Sequence, residues 1–241
     1  ENVASDYIRR LLGRQPGHDL ISIIACGERS FSYWRGESPA RELWSGNADW
    51  SVLEDKLMAV EWLYLSGITL SIMHSEARAK LCEFLGRYRN AGGLVAFDTN
   101  YRARLWPSSN IAKVAIADVL QLTDIALLTL EDEQALWGEV NPEMLIEHHA
   151  ERGVREIILK RGADAVMLYY EGEVRNIDVP RVDDVIDTTG AGDAFNAGYL
   201  AARLQSLAPE KAVQQGNHVA ALTIRHRGAI VDRCIFLSTF S

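Results

Sequence analysis

Four short runs, EWLYLSG (61–67), LVAFD (94–98), DIALLTL (124–130) and REIILK (155–160), are apolar over almost their whole length. A strand with one solvated face alternates apolar and polar side chains; a strand without alternation is covered on both faces. The segments between these runs have helical spacing instead. Residues 75–90 (SEARAKLCEFLGRYRN) carry Leu81, Phe84, Leu85 and Tyr88 at that spacing, with Ser75 as a candidate N-cap. Further helices are expected near 109–121, 131–137 and 142–152. Buried strands alternating with amphipathic helices predict an α/β fold, a parallel sheet with helices on both faces. AVMLYY (165–170) and EVRNIDV (173–179) read as additional strands, and two more helices follow near 193–205 and 209–226.

Ahead of that core, LISIIAC (20–26) and RSFSYWR (29–35) are separated only by Gly27 and Glu28 and read as a β-hairpin. Alternation puts Phe31, Tyr33 and Arg35 on one face and Ser32 and Trp34 on the other. The expected organisation is an amino-terminal segment, 1–40, carrying the hairpin, and an α/β core over 41–241. A formal charge of −8 argues against a nucleic-acid partner, because such binding replaces phosphate counterions with clustered Lys and Arg. No apolar run reaches the roughly 18 residues of a membrane span. Cys26, Cys82 and Cys234 are odd in number and lack CxxC spacing, so a reduced, cytoplasmic setting is expected.

In open sheets of this kind ligands bind outside the carboxyl ends of the strands. Three polar clusters follow β-rich segments: DTNYRARLW after LVAF, KRGAD after EIIL, and DTTGAGD after the last one. The third begins DTTGAGDAFNAG (187–198), and its composition suits an anion site. Gly190, Ala191 and Gly192 let backbone N–H groups approach a ligand closely. With Asp193 opening the next helix, those donors and the helix dipole converge on one spot. A carboxylate there can serve as a general base for a substrate hydroxyl. The plainer alternative is a capped turn in which Asp193 satisfies helix N–H groups.

DTTGAGDAFNAGYL closely resembles the carboxyl-terminal signature of the ribokinase-like carbohydrate kinases, the PfkB family. The resemblance implies a ribokinase-like, doubly wound sheet with a small β lid, and phosphoryl transfer from ATP to a sugar hydroxyl. It implies Asp193 as catalytic base and Gly190, Ala191 and Gly192 as the anion hole. Asp187 and Thr189 match positions that in many relatives line a monovalent-cation site, suited to K+. Lys160, Arg161 and Gly162 match the nucleotide loop, Asn217 and Ala221 the helix flanking adenine, and Gly228 and Ala229 a loop closing the site. Thr129-Leu-Glu-Asp132 stands where many relatives carry Asn-x-x-Glu, so Asp132 replaces the glutamate that organises Mg2+ through water. Glu131 and Glu133 flank it. Mg2+ is expected with ATP, since it binds largely through substrate phosphates.

GERSFSYWR (27–35), FDTNYRARLWPS (97–108), LLTLEDEQALWG (127–138), LKRGADAV (159–166) and HRGAI (226–230) are similar to segments of the 2-keto-3-deoxygluconate kinases within that family. This implies that Tyr33 and Arg35 contact an acid sugar and that Asn100 and Arg102 lie where substrate and ATP phosphates meet, beside Asp98. Arginine can meet a sugar carboxylate with two parallel hydrogen bonds. The residues by themselves also allow an exposed lid strand for Tyr33 and Arg35, and a surface ion pair for Arg102 or Arg104. ENVASDY matches a point well inside full-length relatives, so their amino-terminal strands and Gly-Gly-Asp/Asn sugar grip are expected to be absent. Two other functions stay open: a family kinase of ribokinase or fructokinase type acting on a neutral sugar, and a non-catalytic remnant that binds nucleotide. Relatives often pair through lid strands, which makes the hairpin a candidate homo-oligomer contact.

Overall fold

A computed structural model describes residues 4–8, 10–23, 29–34, 36–46 and 49–240. The hairpin forms as a separate two-stranded antiparallel sheet, β1 (His18–Ile23) and β2 (Arg29–Trp34). Ile23 pairs with Arg29, so β1 stops three residues short of the expected Cys26. Tyr33 lies in β2 opposite Asp19. Its side chain, Arg35 and the 24–28 connection lie outside the described residues.

The apolar runs build a six-stranded sheet whose order follows the chain: β3 (Trp62–Ser66), β4 (Leu94–Asp98), β5 (Ile125–Thr129), β6 (Glu156–Arg161), β7 (Asp164–Tyr170) and β8 (Glu173–Ile177). β3 to β6 pair in parallel. The expected wholly parallel sheet does not form, because β7 and β8 run antiparallel to their neighbours. Connection length is the cause. Arg161 pairs with Asp164 and Tyr170 with Glu173, leaving two-residue turns, whereas a parallel return needs a crossover of roughly a dozen residues. Glu171 and Gly172, at φ 52° and 84°, adopt the doubly left-handed geometry of a tight hairpin.

Each central strand feeds two cores. Val95, Phe97, Ala126, Leu128, Ile157 and Leu159 face one side, where α2 (Gly67–Ile72), α3 (Ser75–Asn90), α4 (Ser109–Leu120), α5 (Leu130–Trp137) and α6 (Pro142–Glu151) pack. Ala96, Ile125, Leu127 and Ile158 face the other, covered by Phe195, Tyr199 and Ala202 of α7 (Ala191–Leu204) and by Ala212 and Val213 of α8 (Pro209–Thr223). Three helices have no counterpart in the sequence reading: α1 (Ser51–Met58), α2 and α9 (Arg233–Phe240). In α1 no residue is buried, and α2 (GITLSI) has no polar face to reveal a helical period. Ser75 is the first residue of α3 rather than its cap; His74 holds that position without a side-chain hydrogen bond. No described helix is long and apolar enough to cross a membrane.

Candidate active site

The glycine stretch enters α7 two residues earlier than expected. Gly190, at φ 75°, is the N-cap, and Asp193 is the third helical residue rather than the first. A left-handed cap favours glycine, and a Cβ at 190 would sit 2.7 Å from the Cβ of Ala229. The loop carrying Gly228 and Ala229 therefore closes directly on this turn. Asp187 ties the two together, accepting from Thr189 N at 2.8 Å and from Gly228 N at 2.9 Å.

The donors of the turn divide their work. Ala191 N–H is taken by Thr188 O at 3.2 Å, and Ala194 N–H begins the helical ladder on Gly190 O at 2.8 Å. Between them lie the N–H groups of Gly192 and Asp193, which an α-helix leaves without an intrahelical acceptor. The helix-start donors that remain are thus centred on 192 and 193, while Ala191 serves the turn. The N-cap, Gly190, brings no side-chain hydrogen bond to the helix start.

Positions 193 and 196 share one face of α7. On that face Asn196 Nδ2 donates to Asp98 Oδ2 at 2.7 Å and to Tyr64 Oη at 3.3 Å, while its Oδ1 accepts from Lys160 Nζ at 2.9 Å. Asp98, Lys160 and Asn196 are buried, at the carboxyl ends of β4 and β6 and the second turn of α7. The sequence reading missed Asn196 and Tyr64; Asn196 stands inside the quoted motif, one turn after the acid. Asp193 itself is open to solvent. Even so, partial burial lifts its carboxyl above the usual carboxylate range, the Asp98 charge adds to that, and Lys160 and Arg102 oppose it. Such an acid is a better proton acceptor than an unperturbed aspartate.

Beside the α7 start opens a cleft of about 690 Å³. Its apolar wall is built from Val166, Val179, Val182, Val185, Ala221 and Ile224. Lys160, Gly162, Ala191, Gly192 and Asn217 line it too. Asn217 Nδ2 donates to Asp178 O at 3.2 Å. The shape and donor set fit a nucleotide: an apolar slot leading to helix-start amides and a buried lysine. Arg161 is the exception. Its guanidinium turns along the sheet to Ala165 O at 2.8 Å and Asn176 Oδ1 at 3.1 Å, locking the β6–β7–β8 hairpins. The β6–β7 register shifts between Leu159 and Arg161, and of the two basic side chains that of Lys160 lines the cleft.

Asn100, at φ 31°, follows Asp98 and donates its N–H to Asp98 Oδ1 at 3.1 Å. Its Oδ1 is enclosed without a hydrogen-bond partner, an acceptor suited to a ligand hydroxyl. Arg102 Nη1 meets both oxygens of Asp132 at 2.8 Å, so the ion pair foreseen as an alternative does form. Burial raises the Asp132 carboxyl although Arg102 pulls it down. With Asp132 engaged there, Glu131 is the acid of the 129–132 stretch that lines the cleft. Among the described residues no three His, Cys, Asp or Glu side chains are grouped to hold a metal ion, so a divalent cation here would depend on ligand phosphates.

The pfkB family carbohydrate kinase profile matches residues 1–233. The chain is 41% identical over 235 residues to a 2-dehydro-3-deoxygluconokinase from Dickeya dadantii (strain 3937), covering 96% of this chain and 75% of that protein. The crystal structure of a PfkB protein from Polaromonas sp. JS666 superposes with a TM-score of 0.75 at 24% identity, over 90% of this chain and 69% of that one. An aminoimidazole riboside kinase from Salmonella enterica, complexed with aminoimidazole riboside and an ATP analog, gives a TM-score of 0.62 at 27% identity, over 75% and 63% of the two chains.

Proposed function

The chain belongs to the pfkB family of carbohydrate kinases, and from that premise we propose that it transfers the γ-phosphoryl group of ATP to the 6-hydroxyl of 2-keto-3-deoxygluconate. The products are 2-keto-3-deoxy-6-phosphogluconate and ADP. One observation supports the reading: a carboxyl with a raised pKa stands on the first turn of α7, directly after Gly192, which lines the apolar cleft, and one turn before Asn196, which is bonded to Asp98 and Tyr64. Asp193 takes the hydroxyl proton as the sugar oxygen bonds to the γ-phosphorus and the bond to the β-phosphate oxygen breaks. Gly192 and Asp193 N–H groups neutralise the phosphoryl in flight with no reorganisation, and donors of this kind are worth roughly 3 kcal/mol each.

Lys160 adds a buried positive charge next to Gly192: its Nζ lies 3.9 Å from where a Gly192 Cβ would be. Mg2+ carried on the ATP phosphates would lie near Glu131 and the Arg102–Asp132 pair. A monovalent cation such as K+ would sit against the Asp187–Thr189 turn. Asn100 and Arg102 hold the sugar and phosphates, and Tyr33 and Arg35 of the hairpin read the sugar carboxylate. The named substrate of the Dickeya dadantii relative supports the acid sugar. The hairpin carried by the 1–40 segment is the proposed lid and homo-oligomer contact over the 41–241 core.

A coupled ADP-release assay with 2-keto-3-deoxygluconate and its carboxyl-reduced analogue tests the reading. Turnover of the acid alone is expected. Equal turnover of both would move the protein to the neutral-sugar kinases, and ATP binding without ADP release would leave it a nucleotide-binding chain.

A further inference from the structure

Thr99, Glu133 and His149 are fully buried polar residues beneath the site, and none of them has a role in the chemistry above. Thr99 Oγ1 donates to Glu133 Oε1, and Trp137 Nε1 donates to Glu133 Oε2 at 3.0 Å. His149 Nε2 lies 3.6 Å from Oε2, too far for a hydrogen bond, and its ring closes the remaining side. Thr99 stands between Asp98, bonded to Asn196, and Asn100, whose enclosed oxygen is unpartnered. Its backbone is gripped as well: a Cβ on Gly67, the first residue of α2, would fall 2.0 Å from Thr99 O.

A buried carboxylate is expensive unless donors reach its oxygens, and here one of the two donors is the site loop itself. We infer that Glu133 is a positioning residue, which sets Asn100 and Arg102 against the transferring phosphoryl group by holding Thr99. The adjacent Asp132 grips Arg102 directly, so two consecutive acids of α5 fix the loop, one from below and one at its rim. Two donors need two acceptor oxygens, and the amide of a glutamine would turn a donor against one of them. The inference rests on the phosphoryl-transfer reading of the Asp193 site; wild-type turnover tests that reading, and comparison of variants tests the clasp.

Thr99→Val removes the hydroxyl at constant shape, Thr99→Ser keeps it, and Glu133→Gln removes one acceptor. Thr99→Val and Glu133→Gln are each expected to lower kcat about tenfold and raise KM for the sugar, with KM for ATP within about twofold, because displacement of a positioned group slows transfer without emptying the base slot. Thr99→Ser should stay within about twofold of wild type in every constant. Hydrogen exchange supplies a readout independent of turnover: Thr99→Val should speed exchange in peptides spanning 99–105 while α7 keeps its protection. A purely structural role would lower the melting temperature and leave kcat of the folded enzyme unchanged. Equal kinetics for the Val and Ser variants, or unchanged exchange over 99–105, would overturn the inference.

Discussion

The two ends of the sheet carry the same chemical groups in opposite electrostatic states. At the amino end, Asp124 accepts from Val95 N at 2.9 Å, from Arg89 at 3.2 and 2.9 Å and from Arg155 at 2.6 Å. Burial alone would raise its pKa, but these donors hold it below the usual range. Glu156 is likewise saturated, by Arg203 at 3.0 and 2.9 Å and by the Tyr199 hydroxyl. At the carboxyl end, Asp193 and Asp132 lie above the usual range, because fewer donors reach them than burial demands. A cavity of about 520 Å³ opens at the amino end as well, lined by Trp62, Asp124 and Glu156. Size does not separate the two cavities; unspent carboxylates do. An acid with its donors complete stitches β4, β5 and β6 together, and an acid short of donors can exchange a proton.

The sharpest break between the ends is kinetic. Asp193→Asn should lower kcat by about 10³-fold or more, the upper part of the range for losing a positioned base, with ATP affinity within about twofold of wild type by calorimetry. Near-normal turnover would remove Asp193 from the chemistry. The reverse pattern is expected at the other end. Asp124→Ala should destabilise the fold by about 2 kcal/mol in urea titrations, since it leaves the buried Val95 N–H without its acceptor and the partly buried Arg89 without its partner, and leave kcat of the folded enzyme intact. A loss of kcat there without a loss of stability would mean that the amino end takes part in transfer.

How much of this was legible in the sequence depends on whether a feature is local. LVAFD and DIALLTL announce buried strands because every residue carries the signal, and the DTTGAGD block is contiguous. The antiparallel β7 and β8 could have been read from the two-residue connections at 162–163 and 171–172, where turn length overrides the apolar pattern. The motif match at Arg161 concerns the backbone of the loop, and it does not mark the side-chain bonds to Ala165 O and Asn176 along the sheet. The network of Asp98, Asn196, Tyr64 and Lys160 joins positions up to 132 residues apart, and no local pattern marks such partners. Asn196 was the exception within reach, one helical turn beyond Asp193.

A smaller effect tests the turn that presents the amides. Gly190→Ala forces a Cβ into a left-handed conformation and against Ala229. The strain is worth about 1–2 kcal/mol, to be read as a lower melting temperature, and the displaced Gly192 N–H should cost kcat as well. An alanine variant with unchanged stability would show that the cap tolerates rearrangement, and the argument for a fixed anion hole would weaken.

The smallest effect follows from the sign of the Asp193 shift. A carboxyl whose folded pKa exceeds its unfolded value binds its proton more tightly when folded. At low pH both states are protonated and no penalty exists. As pH rises past the ordinary aspartate value of 3.8, the unfolded chain ionises first, and the folded state becomes relatively less stable until its own pKa is passed. At pH 7 the ionised acid therefore works against the fold, an effect softened by its solvent exposure. Asp193→Asn should melt slightly higher than wild type at pH 7, and the difference should vanish as pH falls below the ordinary aspartate value. The same substitution would then be the most damaging to turnover and mildly favourable to stability, which no saturated carboxylate at the amino end can be. A variant that melts lower at pH 7 would place Asp193 among the stitching acids and erase the distinction between the two ends.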